Sequence, residues 1–361
     1  MVAEIFRFVS LLRGPASNKI KADRCHFPNP AVPSGMSTKE IILPLESPAV
    51  PLRTRLAAHI QIARLDHSVK QVFILPGIVL ALSISHEPLS RALAARVGVG
   101  LVAATLIASS NYVINEMLDA PFDRLHPTKR NRPAALGLVH MGWGYVQWIA
   151  MMLAGVALAS TISREFVVSG IALWTMGCVY NIAPIRSKDV PYLDVLSESI
   201  NNPLRFCLGW YMVTAVLLPP LSLLLSYWML GAYFMALKRF SEYRQISDCG
   251  VAASYRKSFR HYTEVSLLNS VVFYAAAAML FFGAFIMRYR MELILSFPLM
   301  AWLMAIYFGL SFRHESAVQN PEKLYREPRL MTVLAVCLIV FVALLFVDIP
   351  WLATFFPKSH P

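Results

Sequence analysis

The feature that most constrains this chain is a series of apolar runs separated by short polar segments. Of its 361 residues, 57% are hydrophobic and 15% are charged, whereas an average soluble domain carries about 25% charged residues. Nine runs approach the length of roughly 18–20 residues that a helix needs to cross the hydrocarbon core of a bilayer. They lie near 69–86, 93–116, 138–160, 165–182, 195–217, 219–237, 265–287, 291–311 and 330–356. We therefore predict an all-α integral membrane protein with about nine transmembrane helices.

The distribution of lysine and arginine predicts the orientation of these spans. The segment up to Lys70 holds 10 of the 33 basic residues, and the loops after spans two, four, six and eight hold 16. The opposite loops and the C-terminal end hold 6. Because basic residues are enriched in cytoplasmic loops, we predict a multi-pass protein of a bacterial-type plasma membrane, with its N-terminus and active face cytoplasmic. The net charge of +12 follows this topology and no nucleic-acid module is visible, so we predict no nucleic-acid partner.

The chain divides into two predicted units. Residues 1–50 are rich in Pro, Ser and Lys and lack a sustained apolar run, which predicts a disordered or loosely attached N-terminal segment. Residues 51–361 form the polytopic transmembrane domain, which an interfacial helix within 52–70 precedes. Apolar residues recur every four positions at Leu52, Leu56 and Ile60, a spacing typical of helices that lie in the membrane interface.

A polar motif stands at the end of the second span. Asn115, Asp119 and Asp123 recur every four residues, so on a continuing helix they share one face. Two carboxylates one turn apart repel each other unless a positive group lies between them. Mg²⁺ suits this position because it prefers one or two carboxylates plus substrate phosphates. We predict Asp119 and Asp123 as catalytic Mg²⁺ ligands and Asn115 as a catalytic residue that orients them; the alternative is a solvated helix end neutralised by arginines.

Basic residues follow this motif directly, and others end the later spans that face the same side. Oxygen ligands next to cations suit a divalent metal that holds a diphosphate, so we predict a transferase whose leaving group is pyrophosphate. The predicted phosphate-binding residues are Arg124, Lys129, Arg130, Lys188, Lys238 and Arg239. For Lys238 and Arg239, anchoring at an anionic membrane surface is an equal alternative.

A second polar region follows the fourth span, between residues 180 and 203. Asp194 and Glu198 are four residues apart there, so they share a face if the segment is helical. We predict both as ligands of a second metal, and Asp194 also as a catalytic residue. The alternatives are that these acids pair with cations of the first loop, or that the region is a polar loop with an N-terminal helical turn.

With the Asn115-x-x-x-Asp119-x-x-x-Asp123 motif, the chain resembles the UbiA superfamily of intramembrane prenyltransferases over roughly residues 60–356. The resemblance implies nine transmembrane helices in a UbiA-type bundle, two aspartate-rich cytosolic motifs, and Mg²⁺ that holds a diphosphate donor. In the second motif the chain departs from the family, because Asp194-x-x-x-Glu198 replaces the usual pair of aspartates.

Two details resemble one branch of this superfamily. They are the run from Asp123 to Pro133 (DRLHPTKRNRP) and the pattern Lys238-Arg239-x-x-Glu242. That branch transfers 5-phosphoribose from phosphoribosyl pyrophosphate to a polyprenyl phosphate, so the implied partners are an isoprenoid lipid, a diphosphate-bearing donor and the bilayer. The alternative is prenyl transfer from a polyprenyl diphosphate to an aromatic or other small acceptor. An ion-coupled transporter is less favoured, because transporter sites lie near the bilayer midplane between repeated halves.

Overall fold

The fold is helical throughout the residues that the structure, a computed structural model, describes. These are residues 51–124, 129–245, 257–313, 316–319 and 321–355, without the side chains of 66–70, 321–323 and 353. The predicted N-terminal segment 1–50 lies outside them. The α-helices are α1 (Leu52–Ile62), α2 (Leu75–Ser85), α3 (Arg91–Asp123), α4 (Met141–Ala159), α5 (Arg164–Asn181), α6 (Leu193–Ser199), α7 (Asn201–Val213), α8 (Leu221–Gln245), α9 (Glu264–Tyr289), α10 (Phe297–Leu310), α11 (Pro328–Phe346) and α12 (Leu352–Phe355).

Short 3₁₀ helices join several of these elements. They are Leu65–Ile74, Lys129–Asn131, Ser187–Asp189, Lys257–Arg260, Met291–Ser296, Ala317–Gln319 and Pro321–Arg326. The first runs directly into α2 and the fifth runs directly into α10. No β-strand occurs in the described residues, which confirms the predicted all-α class.

Among the described residues, six helices are long and apolar enough to cross a membrane. They are α3, α4, α8, α9, Met291–Leu310 and α11, and a shorter apolar helix covers Gln71–Ser85. The predicted fourth span is the helix α5, which begins with two charged residues, Arg164 and Glu165. All nine predicted spans therefore fall on helices, and their exact number across the membrane stays a prediction.

The predicted fifth span is two helices rather than one. α6 ends at Ser199 and α7 begins at Asn201, with Ile200 between them in right-handed helical geometry. Pro203 lies in the first turn of α7, where a missing backbone N–H costs little because that group has no partner within the helix. The break at Ile200 separates α7 from α6, and α6 carries the second polar motif at the end of the bundle.

Close packing of small residues fixes α7 against α2 and the 3₁₀ helix before it. A Cβ atom on Gly209 would lie 2.1 Å from the carbonyl oxygen of Ile74, and one on Gly77 would lie 2.1 Å from that of Phe206. Backbones can approach this closely only where no side chain intervenes, as is common between membrane helices. This contact places the start of α7, and so the second motif, relative to the first span.

The predicted interfacial segment forms α1 and the 3₁₀ helix after it. Leu52, Leu56 and Ile60 are exposed along one face of α1, whereas Ile62 is buried. Just after α1, Arg64 pairs with the buried Glu116 of α3 at 3.1 Å. The helix is therefore attached to the bundle at one end and presents an apolar stripe outward, as an interfacial helix does.

Replacement of Gly209 by alanine is expected to lower the midpoint of thermal unfolding in detergent. The added methyl group would meet backbone rather than a flexible side chain, and such overpacking costs about 1–3 kcal/mol. Gly283→Ala is the matched control, because nothing lies within 4 Å of a Cβ there and alanine favours a helix by about 1 kcal/mol over glycine. Equal midpoints for the two variants would contradict the close approach of α7 and Ile74.

Candidate active site

Polar residues from five elements meet at one end of the bundle. α3 and α5 end there, α6 begins there, and α8 ends close to the start of α9. α3 continues without a break through Pro121 to Asp123, so Asn115, Asp119 and Asp123 share one face as predicted. Each of the three has a different partner in the folded protein.

Asp119 is neutralised by two cations of the segment after α5. Its Oδ1 atom accepts hydrogen bonds from Lys188 Nζ at 2.6 Å and from Arg186 Nη2 at 3.0 Å. Lys188 is buried while Asp119 keeps a side-chain exposure of 22%. The structure thus brings the predicted phosphate-binding Lys188 to the first motif. The sequence analysis missed Arg186, although its position in the second polar region was an available signal.

Asn115 connects α3 to α5 through the side chain of Asn181. Asn115 Nδ2 donates to Asn181 Oδ1, and the same oxygen accepts a hydrogen bond from Lys188 Nζ at 2.8 Å. Asn181 Nδ2 in turn donates to the carbonyl oxygen of Gly177 at 2.9 Å. Asn115 therefore acts on Asp119 indirectly, by fixing the amide that holds Lys188 in place.

Asp123 is bound by the basic loop that follows it. Asp123 is 5% exposed, and its Oδ2 accepts a hydrogen bond from Arg132 Nη1 at 2.6 Å. Arg124 Nε donates to the carbonyl oxygen of Ala135 at 3.1 Å, which folds the loop back against the end of α3. Of the other predicted phosphate-binding residues in this loop, Arg130 is exposed and Lys129 is partly buried.

The second motif is organised around one buried arginine. Arg239 is 1% exposed and pairs with Asp194 Oδ2 at 3.1 Å, Glu198 Oε2 at 3.0 Å and Glu242 Oε2 at 3.0 Å. All three guanidinium nitrogens are used in these contacts. A phosphate could reach Arg239 only if a carboxylate left it, so the contacts favour a structural role over the predicted phosphate-binding one.

Asp194 is fully buried and its carboxylate oxygens are both engaged. Besides Arg239, it accepts hydrogen bonds from Tyr262 Oη at 2.7 Å and Ser258 Oγ at 3.3 Å. Burial raises the pKa of Tyr262 well above its usual range, and the negative charge of Asp194 raises this pKa further. Tyr262 therefore stays protonated as a donor. The predicted second metal site at Asp194 and Glu198 stays a prediction, and these contacts give Asp194 another function, the retention of Arg239.

The two clusters are neighbours on one surface. The hydroxyl of Tyr180 donates to Glu198 at 2.9 Å, and Lys188 Nζ lies 5.7 Å from the centre of the Tyr180 ring. Asp189 pairs with Arg186 at 3.3 Å and with Lys257 at 3.4 Å. Carboxylates and cations of both motifs thus form a single polar patch.

The donor set of the first motif fits a magnesium–diphosphate complex. In the described part of the chain, no three His, Cys, Asp or Glu side chains converge as a complete metal cage. Mg²⁺ does not need such a cage, since one or two carboxylates plus substrate phosphates suffice. Asp119 and Asp123 supply two carboxylates on one helix face, and the cations that pair with them, Lys188 and Arg132, could transfer to phosphate oxygens.

A partly open cavity lies elsewhere in the bundle. It measures about 340 Å³ and is lined by residues of α10 and α11, including Trp302, Gly309 and Arg329. None of the predicted site residues lines it. We therefore place the candidate site at the carboxylates, where the chemistry is, and not at this cavity.

Comparison with known proteins identifies the family. The model of the UbiA prenyltransferase family matches residues 72–333, well over half of the chain. The chain belongs to the UbiA prenyltransferase family. This finding confirms the predicted family, and with it the predicted class of multi-pass membrane transferase.

Two curated relatives come from the phosphoribosyltransferase branch. The decaprenyl-phosphate phosphoribosyltransferase of Mycolicibacterium smegmatis is 31% identical over 237 residues, which cover 64% of this chain and 70% of that protein. The enzyme of the same name from Corynebacterium glutamicum is 30% identical over 181 residues, 47% of this chain and 50% of that one. The chain therefore spans between half and about two thirds of the length of these relatives, and it is similar to the branch that the sequence details indicated.

A solved structure supports the fold. A UbiA homologue from Archaeoglobus fulgidus, bound to GPP and Mg²⁺, superposes with a TM-score of 0.58 at 18% identity, covering 80% of this chain and 100% of that chain. At this identity the likeness concerns the fold alone, and it agrees with the predicted UbiA-type bundle. A divalent metal and a diphosphate substrate are thus known in a protein of this fold.

Loss of Arg239 is expected to destabilise the protein strongly. Arg239→Gln leaves the buried Asp194 without its cation, and removal of one partner of a buried ion pair costs about 3–5 kcal/mol. Arg244→Gln is the control, because its pair with Glu264 is exposed on both sides and such pairs contribute about 0–1 kcal/mol. We expect a large fall in the thermal midpoint in detergent for the first variant and a small one for the second. Similar midpoints would show that Arg239 is not the organising cation.

Proposed function

We propose that this protein transfers 5-phosphoribose from phosphoribosyl pyrophosphate to a polyprenyl phosphate, with Mg²⁺ as cofactor and pyrophosphate as the leaving group. The observation that carries this proposal is the aligned face of Asn115, Asp119 and Asp123 beside several cations, at the end of a membrane helix. The similarity to decaprenyl-phosphate phosphoribosyltransferases supports the choice of substrates. We further propose that this face lies on the cytoplasmic side of a bacterial plasma membrane, which the distribution of basic residues supports.

The reaction exchanges one carbon–oxygen bond for another. The bond between C1 of the ribose and the diphosphate breaks, and an anionic oxygen of the lipid phosphate forms the new bond to C1. The electron pair of the broken bond leaves with pyrophosphate, so no proton transfer is needed. A bound Mg²⁺ supplies positive charge to the departing diphosphate.

The residues of the first motif have distinct proposed roles. Asp119 and Asp123 would hold the metal, and Asn115 fixes the side chain of Asn181, which in turn holds Lys188. Lys188, which lies 2.6 Å from Asp119, is near enough to bind the same diphosphate. Positive groups fixed before the reaction stabilise the developing negative charge without further rearrangement.

The remaining predicted residues surround this centre. Arg124, Lys129 and Arg130 lie in the loop after α3 and are proposed to bind phosphate oxygens of the donor. Glu198, with a side-chain exposure of 28%, is the more accessible of the two predicted second-metal ligands. Phosphoribosyl pyrophosphate carries a 5-phosphate in addition to its diphosphate, so its recognition requires more cations than a prenyl diphosphate does.

Prenyl transfer to an aromatic or other small acceptor is the second candidate function. It is favoured by one observation, the structural similarity to the Archaeoglobus homologue, which is bound to GPP. Both functions use a metal-held diphosphate as leaving group, so the first motif serves either. They differ in what the protein must bind besides the diphosphate, namely an anionic ribose or an isoprenoid chain on the donor.

Replacement of Asp119 by asparagine is expected to lower the Mg²⁺-dependent release of pyrophosphate by about 100-fold or more, because a metal ligand loses its charge. Asparagine keeps an oxygen that can accept a hydrogen bond from Lys188 Nζ, so the thermal midpoint should fall less than in Arg239→Gln. The measurement is pyrophosphate release by the protein in nanodiscs, with and without a chelator. Glu87→Gln, at the opposite end of the bundle where Glu87 pairs with Arg96, should keep the wild-type rate. Full turnover in Asp119→Asn would discard the proposed site.

The two donor classes can be separated in one reconstitution. Labelled phosphoribosyl pyrophosphate is offered with a polyprenyl phosphate, and labelled prenyl diphosphate is offered separately with an aromatic acid. We expect label to enter the lipid fraction only in the first arm. Product in the second arm alone would establish prenyl transfer, and ion-driven uptake without product in either arm would indicate a transporter.

A further inference from the structure

A buried arginine within the bundle forms no hydrogen bond or ion pair with the described residues. Arg205 is on α7 and is 8% exposed. Across the part of the chain that the structure describes, Arg205 forms no ion pair or hydrogen bond, and its Nε atom is buried without an acceptor. Arg239, which is comparably buried, pairs with three carboxylates. Arg96, Arg186 and Arg290 also have a buried Nε atom without a hydrogen-bond acceptor, but each of them forms an ion pair. Arg205 differs because it forms no ion pair with the described residues, whereas buried charges in proteins are normally paired.

An unpaired charge at this position is costly. Insertion scales assign about 2.5–3.5 kcal/mol to an arginine at the centre of a membrane helix, and such residues commonly mark substrate or ion pathways. α7 is otherwise apolar beyond its first turn, with Phe206 and Trp210 buried. A cation retained in these surroundings is therefore explained best by an anionic ligand that is absent from the free protein.

Arg205 lies deeper in the bundle than the second motif. It is the fifth residue of α7, which follows α6 after Ile200 and leads away from the polar end. With a rise of about 1.5 Å per residue, Arg205 lies about 6 Å along α7 from its first residue, Asn201. Its position is therefore between the polar patch and the apolar interior.

Tyr227 of α8 connects this part of α7 to the 3₁₀ helix before α2. The ring of Tyr227 lies 5.7 Å from that of Phe206, the residue after Arg205, and its hydroxyl donates to the carbonyl oxygen of Phe73 at 3.3 Å. Arg205 is near enough to Tyr227 for its charge to act on the phenol. Arg205 therefore lies near the contact between α7, α8 and the first span, among residues that the reaction proposed above does not use.

We propose that Arg205 binds the phosphate of the polyprenyl phosphate acceptor. This inference rests on the proposed function and assigns its acceptor site. The nucleophile in a displacement at C1 approaches from the side opposite the leaving group, and the leaving diphosphate lies with Asp119 and Asp123 at the end of the bundle. The acceptor phosphate therefore arrives from deeper in the bundle, where its isoprenoid chain lies among apolar helices. Arg205 is a cation at that depth.

The test measures acceptor binding without turnover. Wild-type protein and Arg205→Gln are titrated in nanodiscs with a polyprenyl phosphate and with the corresponding polyprenol, which lacks the phosphate. We expect the wild type to bind the phosphate at least about 10-fold more tightly than the alcohol, as a charge-assisted hydrogen bond allows. Arg205→Gln should lose this difference. Arg96→Gln is the matched control, since Arg96 has its own acceptor, the carbonyl oxygen of Val213, and should keep it.

Further arms identify the source of the phosphate. Phosphoribosyl pyrophosphate should bind wild type and Arg205→Gln equally, because its phosphates are proposed to lie with the first motif. Equal binding of phosphatidic acid and polyprenyl phosphate would overturn the proposal in favour of a general phospholipid site. Weaker donor binding in Arg205→Gln, with acceptor discrimination intact, would overturn it in favour of the donor 5-phosphate.

Stability provides an independent measurement. If Arg205 is unpaired in the free protein, Arg205→Gln should keep or raise the thermal midpoint without ligand, because removal of an unpaired buried charge relieves its cost. A clear fall in this midpoint would show that Arg205 has a structural role instead, and Arg205→Lys should then restore it. If the lipid phosphate binds through Arg205 but no ribosyl transfer occurs, the proposed function is rejected and the acceptor site is retained. If ribosyl transfer occurs and Arg205→Gln binds the acceptor as the wild type does, the acceptor site is rejected and the proposed function is retained.

Discussion

The interaction on which this fold depends is the pairing of charges where apolar helices end. In a bilayer an unpaired charge has a large free-energy cost, so ionisable groups near the hydrocarbon core are normally paired. Arg239 of α8 satisfies this requirement for α6 by binding Asp194 and Glu198. Lys188 does the same for α3 and α5 through Asp119 and Asn181. The contacts that neutralise the polar end therefore also align the helix ends that carry the site.

These pairings suggest how an acidic site remains stable without its substrate. Lysine and arginine side chains are long, and the ones beside Asp119 and Asp123 can exchange a carboxylate for a phosphate with small movements. If Asp119 and Asp123 held a metal–diphosphate complex, Lys188 and Arg132 would pair with its phosphate oxygens instead of the carboxylates. The number of charge contacts would then be similar with and without the substrate. Asp194, by contrast, is held by Arg239, Tyr262 and Ser258 at once.

How much the sequence could predict depends on whether a feature is local. The common face of Asn115, Asp119 and Asp123 was predictable because α3 continues to Asp123, and a four-residue interval maps directly onto a helix face. Their partners were not, because the contacts of Asp119 with Arg186 and Lys188 span 67 and 69 residues. A run of basic residues in the sequence does not indicate which carboxylate each one pairs with. The division of the fifth span was equally hidden, since mean hydropathy responds to composition and not to a change of helix at Ile200.

The comparison of two arginines shows what local sequence leaves open. Arg205 and Arg239 are both buried on helices of the bundle, and hydropathy treats them alike. Arg239 pairs with three carboxylates, whereas the Nε atom of Arg205 has no acceptor among the described residues. Proteins depart from complete satisfaction of polar groups mainly at functional sites, where stability is lower than it could be. Because Arg205 lies on α7, deeper in the bundle than Asp194 and Glu198, a ligand that enters between the helices explains its lack of an acceptor more simply than an imperfection of the core does.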